Sequence, residues 1–150
     1  ALEDRVVFTG AVPHRLIPAF LDVCTLEAHT ANTYYPGAGI ASMEAMSRGV
    51  AVVTMEMESQ YCYPQFKNGE NLLMVPPNCP EKMAEAMLLL LSDDRLRQRI
   101  GQNARNMMRQ HFSWQAVSDA YVALYRQTIG TRDPKRREPP PSTNRQTSTP

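Results

Sequence analysis

Apolar residues fall along this chain in short runs punctuated by glycine and proline, and their spacing alternates between strand-like and helix-like. Val6, Val7 and Phe8, between Arg5 and Thr9-Gly10, predict a short buried strand that ends in a turn. Residues 13 to 21 predict a short helix with Pro13 in its first turn, Leu16, Ile17 and Phe20 apolar, and Pro18 limiting its regularity. Leu21 to Leu26 predicts a second strand, and the polar stretch from Glu27 to Tyr35 a loop. Residues 36 to 53 read as turn, helix, turn, strand: Gly37 and Gly39 open a run of helix formers, Gly49 closes it, and Val50 to Val53 follow as a buried strand. Residues 55 to 70 are irregular, Asn68-Gly69 is a turn, and Asn71 to Val75 predicts a strand stopped by Pro76-Pro77.

Three helical patterns follow. Pro80 suits a first turn, with Met83, Met87, Leu90 and Leu91 on one face. Ser92 is the expected cap of the next helix, with Leu96, Ile100, Ala104 and Met107 or Met108 as its stripe. Ser113 is the expected cap of a last helix whose Trp114, Val117, Tyr121, Leu124 and Tyr125 face inward. From Gly130 onward apolar anchors stop and five of the twelve prolines crowd in, so residues 130 to 150 predict a disordered tail after a domain at 1 to 129. Strand and helix alternation of this kind means an α/β fold: a Rossmann-like parallel sheet flanked by helices.

The central helix carries the candidate chemistry. On a helical wheel Ile40, Met43 and Met46 share one face, and Glu44 falls roughly 40° from Ile40, toward the apolar side. An unsatisfied polar group buried there costs on the order of 2–7 kcal/mol, so Glu44 calls for a partner. The helix start, with glycines that let a ligand approach its unpaired N–H groups, is suited to an anion. The two features together imply a phosphate at the helix start and a polyol at Glu44. The bland alternative for Glu44 is a carboxylate paired with Arg48 or another basic group.

The run Gly-x-Gly-Ile-x-x-x-Glu-Ala-Met-x-x-Gly-Val-x-Val-Val resembles the donor-binding signature of the GT-B-fold retaining glycosyltransferases of the family 4 type (glycosyl transferases group 1), over about residues 5 to 128. Asn-Gly-Glu-Asn-Leu-Leu-x-Val-Pro-Pro at 68 to 77 and the Phe-Ser-Trp start of the last helix are similar to that family too. The resemblance implies part of a GT-B carboxyl-terminal domain that binds a nucleotide sugar as substrate, without metal or other cofactor. It assigns Gly37, Gly39, Ile40 and Ala41 to the diphosphate and donor sugar, Glu44 to the ribose, and Gly10, Ala11 and Val12 to the nucleotide base. Three departures stand out. Pro36 occupies the place of the first acid of the family's pair, and proline offers no acceptor side chain. Pro64-Gln65 replaces a Pro-Glu pair near the donor. The family's diphosphate-neutralising Arg and Lys and its amino-terminal acceptor domain would lie before Ala1, which reads as the start of a chain cut from something longer. Glu27, His29, Tyr34 and Tyr35 are the candidates to replace the acid lost at Pro36, and Glu27 is the speculative catalytic choice. A non-catalytic glycosyltransferase-like domain or fragment, acting as a binding module, is the alternative from another class.

Composition narrows the remaining classes. The net charge of +1 splits into five basic and two acidic groups in residues 131 to 150 and a remainder of −2, so the globular part is no polyanion binder. Arg95, Arg97, Arg99, Arg105 and Arg109 lack interleaved aromatic residues and read as a solvated helix face, not as a nucleic-acid surface. The basic run Lys135 to Arg137 offers a peripheral contact to anionic lipid. Cys24, Cys62 and Cys79 are odd in number without a Cys-x-x-Cys spacing, which suits reduced thiols and a cytoplasmic location. His14, His29 and His111 are scattered and imply no metal site. No membrane span or signal peptide is recognisable.

Overall fold

Gly49 and the aliphatic run after it fix the centre of the fold. In the computed structural model, which describes residues 4–30, 39–56 and 64–130, helix α2 (Ile40–Arg48) ends at Gly49 and strand β2 (Ala51–Met55) starts two residues later. Gly49 adopts φ +84°, a left-handed conformation that glycine takes without a Cβ penalty. The Gly49 N–H then reaches the Met46 carbonyl at 2.9 Å and the Val50 N–H the Ala45 carbonyl at 3.0 Å, a Schellman-type closure.

Beside β2 lie β1 (Leu26–His29) and β3 (Leu73–Val75), both parallel to it, in the order β1-β2-β3. The register pairs Leu26 with Ala51, Glu27 with Val52, His29 with Thr54 and Val53 with Leu73. Side chains alternate across the pleat, so β2 feeds two cores. Val52 joins Leu21, Ala45, Met46, Leu72, Ala104 and Met107 on one face, while Ala51 and Val53 join Val75, Leu90 and Ile100 on the other. Leu21 comes from α1 (Ile17–Asp22), Leu90 from α3 (Pro80–Ser92), and Ile100, Ala104 and Met107 from α4 (Asp94–His111). The parallel sheet flanked by helices is the α/β architecture that the pattern of runs predicts.

One contact sets the spacing of α2 and α4. A Cβ built on Gly101 of α4 would lie 2.0 Å from the Gly49 carbonyl oxygen and 3.5 Å from the Ala51 nitrogen. Only a glycine permits backbone approach this close.

Several expectations need correction. Val6, Val7 and Phe8 form no strand and are exposed, Phe8 at 94%. A strand needs a neighbour to satisfy its backbone, and no described strand lies beside these residues. The second strand is not Leu21 to Leu26: Leu21 and Asp22 finish α1, which follows a 3-10 turn at His14–Leu16, and β1 begins at Leu26. Glu27 and His29 therefore belong to a strand. The cap of α4 is Asp93, whose Oδ1 accepts the Leu96 N–H at 2.9 Å, while the Ser92 hydroxyl donates back to the Leu89 carbonyl. Finally, α2 buries Ser42, Ala45 and Met46, and Ile40 is 78% exposed. Two alanines and two serines leave the faces of this nine-residue helix hard to rank from its pattern.

The chain divides into two compact units, Ala1–Ser113 and Trp114–Pro150. In the second, helix α5 (Trp114–Gly130) leaves Trp114, Tyr121, Leu124 and Tyr125 exposed, Trp114 at 90%, so the expectation that they face inward is also corrected; the Tyr121 and Tyr125 rings lie 6.5 Å apart between centroids. Residues 131 to 150, with the predicted tail, lie outside the described residues. No described helix is long and apolar enough to cross a membrane.

Candidate functional site

In parallel sheets ligands bind beyond the carboxyl ends of the strands. At that edge β1 delivers Glu27 and His29, and α2 presents its first turn. Gly39 is the N-cap of α2, has φ −58° and no side chain of its own to cap the helix, and the first helical bond runs from the Met43 N–H to the Gly39 carbonyl at 3.0 Å. The N–H groups of Ile40, Ala41 and Ser42 are thus without intrahelical acceptors, and the residues Ile40 and Ala41 are exposed. Such an end carries the positive pole of the helix dipole.

Glu27 and His29, two apart on the strand, point to the same face as Val52, toward α2. The Ser42 hydroxyl, fully buried, spans the Glu27 carboxylate at 3.2 Å to Oε1 and 3.1 Å to Oε2. His29 Nδ1 stands 3.7 Å from Glu27 Oε1. Burial pushes the Glu27 carboxyl above its ordinary range, an effect that the Ser42 hydrogen bond and the nearby His29 reduce without reversing. A Cβ on Gly39 would meet His29 Cε1 and Nε2, each at 3.0 Å. The glycine is what lets the ring lie against the helix start.

Glu44 is one turn further along. It does not point into the core: its side chain is 35% exposed and its Oε1 lies 3.2 Å from Nε2 of the exposed His14. Arg48 is not its partner. That guanidinium grips Asp22, with Nε donating to Oδ1 at 2.7 Å. The Glu44–His14 contact ties the segment after Gly10, Ala11 and Val12 to α2. Those three residues are irregular and largely exposed, and Gly10 has φ +64°.

Of the residues expected at the site, Gly39, Ile40, Ala41 and Glu44 share α2 and its cap, and Glu27 joins them through Ser42. Gly37, with Pro36, Tyr34 and Tyr35, lies outside the described residues. Ser42 and His14 had no place in the sequence reading. A period of two started at Leu26, not at Leu21, is the signal that puts Glu27 and His29 on one face.

Two hollows are lined by other described residues. One of about 360 Å³ opens on the α3 face and is mainly apolar, lined by Thr30, Met55, Val75, Cys79 and Met83 among others. Another, of about 350 Å³, is walled by Gln65, Asn71, Asn103, Asn106 and Gln110, so Gln65 stands in a cluster of amides beside α4. Among the described residues no three His, Cys, Asp or Glu side chains gather as a metal site.

Comparison with known proteins decides the family. Residues 1–107 match the family described as glycosyl transferases group 1. The chain belongs to this family. Alpha-D-kanosaminyltransferase of Streptomyces kanamyceticus is 29% identical over 126 residues, which cover 84% of this chain and 32% of that enzyme. Among solved structures, sucrose-phosphate synthase from Thermosynechococcus elongatus superposes with a TM-score of 0.74 at 26% identity, over 87% of this chain and 32% of that one. Anabaena HepE, solved in complex with UDP, gives a TM-score of 0.74 at 25% identity over 84% of this chain and 33% of that one. The chain thus spans about a third of the length of these glycosyltransferase relatives. The GT-B architecture expected from the central motif is the one these structures share.

Proposed function

We propose that this chain binds the nucleotide-sugar donor of a retaining glycosyltransferase. The open amino end of α2 at the carboxyl edge of the sheet carries this reading. It offers N–H groups, a positive dipole end and close access past Gly39 to a diphosphate. HepE, similar in sequence and fold, was solved with UDP, which supports a nucleoside diphosphate in the same role here.

In this reading Gly37, Gly39, Ile40 and Ala41 meet the diphosphate and sugar, Glu44 accepts the ribose hydroxyls, and Gly10, Ala11 and Val12 lie against the base. The reaction moves the sugar from the diphosphate to an acceptor hydroxyl. Its barrier falls because the helix start stabilises the charge that grows on the departing diphosphate. No metal enters this scheme.

Titration of the chain with UDP, GDP and ADP tests the assignment. One of them is expected to bind saturably, and Glu44→Ala to weaken that binding several-fold, in line with the loss of about 1 kcal/mol or more for a hydrogen-bonded partner. Equal affinity of the variant contradicts the role of Glu44.

Pro36, where the family resemblance implies an acid, favours a second reading: a domain that binds a donor or a partner without catalysis. Sugar transfer by a protein containing this chain excludes it. The anomeric configuration of the product then decides retention.

A further inference from the structure

We infer that His29, positioned by Glu27, is the side chain that meets the donor's diphosphate at the start of α2; this rests on the donor-binding reading above. The two ring nitrogens have different surroundings. Nδ1 faces the carboxylate, 3.7 Å from Glu27 Oε1, and Nε2 lies on the Gly39 side, 3.0 Å from where a Cβ would stand. Among the described residues none hydrogen-bonds to Nε2, whereas the Glu27 carboxylate is engaged at both oxygens by Ser42. Glu27 is thus committed to its neighbours, and its side chain is only 18% exposed against 27% for His29.

At 3.7 Å, beyond hydrogen-bond length, the carboxylate acts on the ring through its charge and leaves Nε2 to face a ligand. With both nitrogens protonated the ring is a cation whose Nε2–H can donate to a phosphate oxygen. It stands beside Gly39, the cap residue of α2, and so next to a first turn whose N–H groups have no intrahelical acceptor. Glu27 itself is a positioning residue: it acts through His29, and Ser42 fixes its carboxylate.

The test uses the full chain labelled with 15N in histidine and titrated with UDP, GDP and ADP. Binding is expected to move the Nδ1 and Nε2 resonances of one imidazole toward the imidazolium pattern, and that pair should be missing in His29→Gln. The same variant should bind the nucleotide about tenfold more weakly, as the loss of a charge-assisted hydrogen bond implies. Glu27→Gln can still accept from Ser42 but lacks the charge. It should lose about threefold in affinity and change the ring's tautomer pattern, which a purely structural role would leave alone. If a nucleotide binds while the His29 resonances stay fixed and His29→Gln retains full affinity, the inference is overturned and the donor reading stands. If none of the three nucleotides binds the parent chain, the donor reading falls and the role of His29 with it.

Discussion

The two ends of α2 are built for different purposes. At its carboxyl end Gly49 turns the chain, the Schellman-type bonds close the last carbonyls, Gly101 presses on the Gly49 carbonyl, and Arg48 holds Asp22. At its amino end the cap is a glycine without a side chain, and a half-buried carboxylate and an imidazole gather beside it. Nine residues separate a satisfied end from an open one. The lesson is that a helix can spend its packing at one terminus to hold the other ready for an anion.

Substitutions at glycines separate the two ends most sharply. Gly101→Ala drives a methyl into the Gly49 carbonyl, 2.0 Å away, and backbone cannot yield as a side chain can. The expected loss is about 3 kcal/mol, at the upper end for overpacking, seen as a lower urea midpoint with unchanged slope. A variant as stable as the parent would mean that the helices part readily. Gly39→Ala is the counterpart at the open end. Its φ of −58° suits any residue, and the nearest described atoms to its new methyl belong to the His29 ring, at 3.0 Å. The cost should stay below about 1 kcal/mol and vanish in a His29→Ala background, a coupling that a double-mutant cycle reads directly.

Glu27→Gln gives the smallest change, and its sign is informative. The folded state holds the Glu27 carboxyl above its ordinary value of 4.5, so the folded protein binds this proton more tightly than the unfolded chain does. Stability from this group is therefore greatest below pH 4.5 and falls as pH rises through the folded pKa. Gln carries no such penalty and still accepts from Ser42. At neutral pH the variant should melt no lower than the parent, and its melting temperature should decline less between pH 4.5 and neutrality. A marked loss of stability at neutral pH would show that the charged carboxylate holds the fold together, contrary to this account.

The central helix and the strand after it were legible because glycine at both ends, helix formers between and β-branched residues beyond all agree. The ordering of the site was less so. Leu21, Val23, Cys24 and Leu26 fit either the end of a helix or a strand, since short apolar runs carry no clear period. Taking the strand five residues early put Glu27 and His29 in a loop, and hid the fact that they share a face. The apolar run at Val6 to Phe8 reads as a strand, but pairing depends on a neighbour that local sequence does not report. Glu44 was found by its motif, yet its surroundings were misjudged. Its partner, His14, sits 30 residues away and becomes visible only once the fold is formed.

The most direct measurement is a backbone amide NMR titration of the chain with UDP, followed by GDP and ADP if UDP does not bind. The account predicts saturable shifts concentrated at Gly39 to Ser42, Glu27 and His29, with Gly49 and Gly101 little changed. Shifts centred on the amide-lined hollow at Gln65, Asn103 and Gln110, or saturable binding that leaves the start of α2 unmoved, would contradict it.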